Sequence, residues 1–126
     1  MTTEEKELLL KDICARIPHG VKCNAVLKQV DGSLKSVFGT FKGYNGWATV
    51  GNNLVDIETV KPYLRPMSSM TEEEKKEFIK FRWTTHDGEP RMYEWCDYAI
   101  AHHFDFRGLI EKGLALEASE GMYKTE

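Results

Sequence analysis

The chain has no apolar run near the roughly 20 residues that a bilayer-spanning helix needs, so a membrane helix is not expected. It has only three cysteines, Cys14, Cys23 and Cys96, odd in number and outside CxxC spacing. That argues against a disulfide framework or zinc ribbon and suits reduced thiols in a cytoplasmic protein. A GxSxG nucleophile elbow, an HExxH metal helix and a GxGxxG or P-loop pattern are also lacking. Gly39, Gly43, Gly46 and Gly51 fall instead where turns and strands are expected. The first residues, MTTEEKELLLKD, are acidic and carry no basic stretch before their short apolar patch, so no secretory signal is expected. What is present is 126 residues, 41% hydrophobic and 29% charged, the balance of one soluble globular domain rather than a disordered chain.

Charge is unevenly spread. The net charge is −3, but residues 20–66 carry six basic side chains against three acids, whereas residues 67–126 carry thirteen acids against eight bases. A basic middle in an acidic protein suits an acidic or phosphate-bearing partner. A nucleic-acid domain usually shows a denser basic stripe and an alkaline isoelectric point, and this chain sits near 5.8.

The pattern divides the domain into a helix (1–19), a β part (20–66) and a helical part (67–126). A helix is expected over 3–16, where Leu9, Leu10, Ile13 and Cys14, with Ile17 just beyond, recur at helical spacing behind a Thr2–Glu5 capping box and ahead of Pro18 and Gly20. Val21, Cys23, Ala25 and Leu27 alternate with more polar residues, which is strand periodicity. LKSVFGTFKGY reads as a second strand, bent or bulged at Gly39 and Gly43, and Asn45-Gly46 is a strong hairpin signal. WATV and LVDI follow, then a helical turn and a closing strand ending at Pro66. This layout predicts an α+β fold whose β part is a small SH3-like five-stranded barrel or a curled antiparallel sheet. No SH3 ligand motif accompanies it, and an OB-type or open meander sheet fits the same pattern.

In the C-terminal half, Ser69–Glu72 and Thr71–Glu74 offer two competing capping registers for a helix beginning EEEKKE. THDGEP makes a loop turning at Asp87-Gly88. Residues 90–104 then place Met92, Trp95, Cys96, Ala99, Ile100 and His103 on one helical face, completing a helical pair. Asp105 is placed to cap a short helix over 107–112, ended by Gly113, and LALEA reads as a short strand or extended segment.

Chemistry-bearing residues are sparse. Cys96 and His103 share a helix but stand two turns apart, roughly 10 Å, too far for direct activation. Cys14 and Cys23 fall on inward faces. His102-His103-Phe104-Asp105 is the one tight group of ligand types. At i, i+3 His102 and Asp105 can converge on a metal, with His19, His86 or Asp87 as a third donor. The preferred alternative is a packed core His103, with Asp105 as a helix cap paired with Arg107. No cofactor is expected, and the reading leans away from catalysis.

The aromatics carry more. Phe38, Phe41, Tyr44, Trp47 and Tyr63 crowd the β part among Lys35, Lys42, Lys61 and Arg65. Phe38 or Phe41, with Leu54 and Ile57, is expected inside the barrel. Tyr44, Trp47 and Tyr63 are expected outside, forming with those four cations a recognition face for a peptide or for stacked bases.

Two phrases, KPYLRPMSSMTEEE and HHFDFRGLIEKGLALEA, resemble a group of small uncharacterised proteins encoded by phages, prophages and mobile elements of gut bacteria. The resemblance covers roughly the C-terminal half and brings no activity, cofactor or site residue with it. It implies an intracellular accessory protein made in an infected or lysogenic bacterium. The expectation is therefore non-catalytic binding of a host or phage protein in the cytoplasm. Two alternatives stand beside it: a nucleic-acid module using the basic, aromatic face, and a counter-defence protein binding an immunity protein or its nucleotide signal.

Overall fold

The Thr2 hydroxyl accepts a hydrogen bond from the Glu5 amide (3.0 Å) while the Glu5 carboxylate accepts one from the Thr2 amide (2.9 Å). This reciprocal cap starts α1, Thr3–Ala15, as the sequence predicts. The helix ends one residue short of the expected 16, because Arg16 becomes its C-cap before a 3₁₀ turn at Ile17–His19 and a left-handed Gly20. These relations come from a computed structural model that describes residues 1–82, 92–119 and 121–123.

Among the described residues six strands follow: β1 (Lys22–Lys28), β2 (Leu34–Tyr44), β3 (Ala48–Val50), β4 (Asn53–Val55), β5 (Lys61–Leu64) and β6 (Leu116–Glu117). They form one mixed sheet in the order β4-β3-β2-β1-β5-β6, antiparallel except for the parallel β5–β6 pair. A 3₁₀ turn at Ile57–Thr59, capped by Asp56, leads into β5. The sixth strand is the LALEA segment. The sheet curls enough for β1 and β4 to approach across the core, yet they share no ladder, so it stays open.

Two local signals are resolved in detail. In β2, Phe41 pairs with Val50 but Gly43 pairs with Thr49, so Lys42 is the extra residue of a bulge that turns the strand toward β3. At the next corner only Gly46 adopts positive φ, and the Asn45 amide donates to the Trp47 carbonyl.

Leu9 and Ile13 of α1 seal one face of the sheet, against Val21, Cys23, Ala25, Phe41, Val50, Ile57 and Leu64. Leu109, Leu114 and Ala115 close the same core from the C-terminal side. The helix expected over 107–112 does not form. The segment is a series of turns, whose first amides are held when the Asp105 carboxylate accepts from Leu109 N–H (2.8 Å) and Ile110 N–H (2.9 Å). Asp105 is thus the cap foreseen, without its helix, and Arg107 pairs with Asp12 instead of Asp105.

A second, smaller cluster holds Phe78, Ala99 and Phe104 with Met67 and Met70. Phe78 lies on α2 (Glu72–Arg82) and Ala99 on α3 (Met92–Ala101). The Thr71 register wins the capping contest: Thr71 Oγ1 accepts from Glu74 N–H, and the Glu74 carboxylate accepts from Thr71 N–H. Ser69 is spent in a 3₁₀ turn, Met67–Ser69. The loop expected at THDGEP, and with it the join of the expected helical pair, lies outside the described residues, as do the side chains of Met92 and Trp95.

The second helix stops at Ala101 rather than 104. His103 takes φ 61, His103 N–H bonds Ile100 C=O and Phe104 N–H bonds Ala99 C=O, a Schellman ending with histidine where glycine is usual.

Candidate functional site

Strand parity decides which aromatics meet water. Val37 and Phe41 point into the core, so Phe38 must point out, and it is 57% exposed. The expectation that Phe38 or Phe41 is interior therefore holds for Phe41 alone. Leu54, expected inside, is 62% exposed, because Val55 takes the inward position of the three-residue β4. Ile57 is buried as expected.

The solvent face of β2-β1-β5 follows from register. Phe38 lies opposite Asn24, and Asn24 opposite Lys61. Tyr63, two residues beyond Lys61, meets Phe38 with ring centroids 5.6 Å apart at 59°, a tilted aromatic pair. Asn24 Nδ2 donates to Ser36 Oγ (3.0 Å) beside it. Leu34, 71% exposed, stands on the same face opposite Lys28. The face carries the Phe38–Tyr63 pair and, beyond Ser36, Leu34, with Lys22, Lys28 and Lys61 on the same side.

The structure does not gather the seven residues expected to form the recognition face. Tyr63 and Lys61 belong to the face just described. Trp47 is 58% exposed, but it sits on the β2–β3 corner, beyond Tyr44 and roughly 20 Å of strand from Phe38. Tyr44 is half-buried against the main core, so its expected exposure is corrected. Lys35 faces Leu27 on the other side of the β1–β2 arm, and Lys42 occupies the bulge.

Arg65 is corrected too. Its guanidinium grips both Glu74 carboxylate oxygens at 2.7 Å and lies over the Phe104 ring, 4.2 Å from its centre. An arginine so engaged has its planar fork filled and is poorly placed to take a phosphate. Missed in sequence were Phe38, Leu34, Lys22 and Lys28. Parity counted from Phe41 would have found the first two.

Around Arg65 lies the polar corner that the sequence marked as a weak metal site. Arg65 holds the Glu74 carboxyl at about 2, against some opposition from burial. His102 stacks on Tyr98 (4.3 Å), with Nδ1 3.7 Å from Glu74, and burial lowers its pKa although Glu74 pulls the other way. The i, i+3 convergence of His102 with Asp105 needed a helix through both, and the helix ends before either. Both Asp105 oxygens serve as a cap. Among the described residues no group of three His, Cys, Asp or Glu side chains is placed to hold a metal ion.

His103 is the packed histidine of the alternative reading, stacked on Tyr123 (3.9 Å), with Nε2 2.9 Å from the His19 carbonyl. Burial, with the Arg16 charge, lowers its pKa to about 4. Burial also pushes the Cys23 thiol up to about 12 and raises Cys14, which makes both poor nucleophiles.

No protein-family model, curated protein or solved structure matches this chain. Among the described residues no helix is long and apolar enough to cross a membrane.

Proposed function

We propose that this chain is a non-catalytic binding protein whose contact surface is the solvent face of β2-β1-β5, and that its partner is a protein presenting an acidic patch. One observation carries the reading. Leu34 and Phe38 stand in water on a sheet face that also carries three lysines, and Phe38 packs against Tyr63, while ample core exists on the opposite face. Exposed aromatic side chains among charged neighbours are a usual form of interaction site, and aromatic anchors dominate such contacts. The scaffold we assign is an SH3-like curled sheet, supported by the order of the first five strands and the 3₁₀ turn before β5. The resemblance of the C-terminal phrases to phage and mobile-element proteins supports a cytoplasmic accessory role, with a host or phage protein as partner.

The test is affinity purification from the native host, read by mass spectrometry, with the natural chain beside Phe38→Ala and Lys61→Glu. A specific partner lost by both folded variants supports the surface. A partner retained equally by both places the contact elsewhere. A nucleic-acid ligand would instead appear as a gel shift that weakens steeply with salt.

A further inference from the structure

A groove of about 1040 Å³ runs beside the last strand of the sheet, between β6 and the start of α2. That volume is at the upper end of clefts that enclose drug-sized ligands, so it has room for several residues of extended chain. We infer that this groove takes an extended basic peptide segment of a partner protein, which adds a strand to the outer edge of β6.

The backbone supplies the first half of the argument. In the parallel β5–β6 ladder, Leu64 lies opposite Glu117 and its carbonyl accepts from Ala118 N–H at 2.8 Å. Leu64 is therefore the residue that bonds across the ladder, and the Glu117 amide and carbonyl point the other way, toward the groove that Glu117, Ala118 and Ser119 line. β6 is the last strand in the sheet order. A peptide strand about 4.8 Å further out would exchange two main-chain hydrogen bonds with Glu117.

Charge supplies the second half. Four carboxylates line the groove, Glu73, Glu74, Glu77 and Glu117, against Arg65 and Lys76. Glu74 is neutralised by the two-pronged Arg65 contact, and Glu73 on α2 with Glu117 on β6 still outnumber Lys76. The far wall is the Tyr98–His102 stack, a flat surface suited to the alkyl stem of a lysine or arginine. Glu73 and Glu117 are exposed, so lysine side chains reach them without displacing core contacts. The site is distinct from the Leu34–Phe38–Tyr63 face and has the opposite preference in charge.

The experiment uses the whole chain and two fluorescein-labelled octapeptides, one alternating lysine with valine and one alternating glutamate with valine. Fluorescence anisotropy is expected to show the lysine peptide binding at least about tenfold more tightly. Glu73→Lys/Glu117→Lys is expected to weaken it by about tenfold or more, while Phe38→Ala leaves it unchanged. Amide exchange on the natural chain gives a readout independent of any variant. The Glu117 amide gains protection when the lysine peptide is added, and the Ala118 amide, already bonded to Leu64, changes little. Equal affinity for both peptides, no binding up to about 1 mM, or an unaltered Glu117 amide overturns the inference. Loss of binding in Phe38→Ala would overturn it too, because it would place the peptide on the lysine-flanked face.

Discussion

Asp12 and Arg16 are both fully buried, one helical turn apart at the end of α1. Arg16 Nε donates to Asp12 Oδ2 (2.9 Å), and Nη2 donates to Oδ1 (3.1 Å) and to the Phe104 carbonyl (2.6 Å). Arg107 Nε donates to the same Oδ1 at 3.0 Å. Asp12→Ala leaves the Arg16 guanidinium sealed in the interior with one backbone carbonyl for company, whereas Arg107, about a fifth exposed, turns to water. Breaking a buried pair from one side costs roughly 3–5 kcal/mol, and the Arg107 loss adds little because solvent replaces it. We expect about 4 kcal/mol, a large share of the 5–15 kcal/mol that holds a domain together, and a fall in Tm of roughly 10–20 °C.

Arg16→Met should cost less, about 2–3 kcal/mol, because Asp12 keeps Arg107. The double variant should cost little more than Asp12→Ala alone, a coupling of about 2 kcal/mol or more. Urea unfolding followed by circular dichroism near pH 7 measures all three. A cost below about 1 kcal/mol for Asp12→Ala, or simple additivity in the double variant, would refute the reasoning.

Two other predictions rest on the same corner of the fold. His103 ionises near 4 in the folded chain and near 6.5 when unfolded, so the unfolded state binds the proton first. Stability should therefore fall by up to about 3 kcal/mol as pH drops from 6.5 to 4. His103→Asn, which tolerates the left-handed backbone, should flatten that slope, and urea midpoints that track the natural chain would contradict the assignment. Tyr123→Phe removes a hydroxyl that accepts from Lys22 N–H (2.8 Å) and donates to the Tyr63 carbonyl (2.7 Å), bridging β1 and β5 where their ladder stops. It should cost about 1–3 kcal/mol and speed exchange of the Lys22 amide; unchanged exchange would show that the bridge does not hold the strands.

The candidate surface was half legible. Lys61 and Tyr63 were expected on the outside of the β part, and both lie on the solvent side of β5, because alternation along a short strand is legible locally. Phe38 and Phe41 were left as alternatives for the interior because two phenylalanines three residues apart must take opposite faces of an unbulged strand, and the packing of Phe41 in the core decides which is which. Arg65 read as a free cation, since nothing local announces that Glu74, nine residues on, will close on it. Ser69 and Thr71 offered equal caps until Arg65 gave Glu74 a second reason to sit in the Thr71 register.

The order of elements through β5, the capped first helix, the Asn45-Gly46 corner and the bulge before Gly43 were written in stretches of a few residues, where backbone sterics and i, i+3 hydrogen bonds act without outside help. The outermost place of β6 in the described sheet, the turns over 107–112 and the left-handed His103 were not. They depend on contacts such as Arg16 to Phe104, 88 residues apart, and Tyr123 to Lys22, 101 apart. Partners so distant in the chain are chosen by whichever fold best satisfies buried polar groups and fills the core, a choice made collectively and only once the sheet has closed over α1.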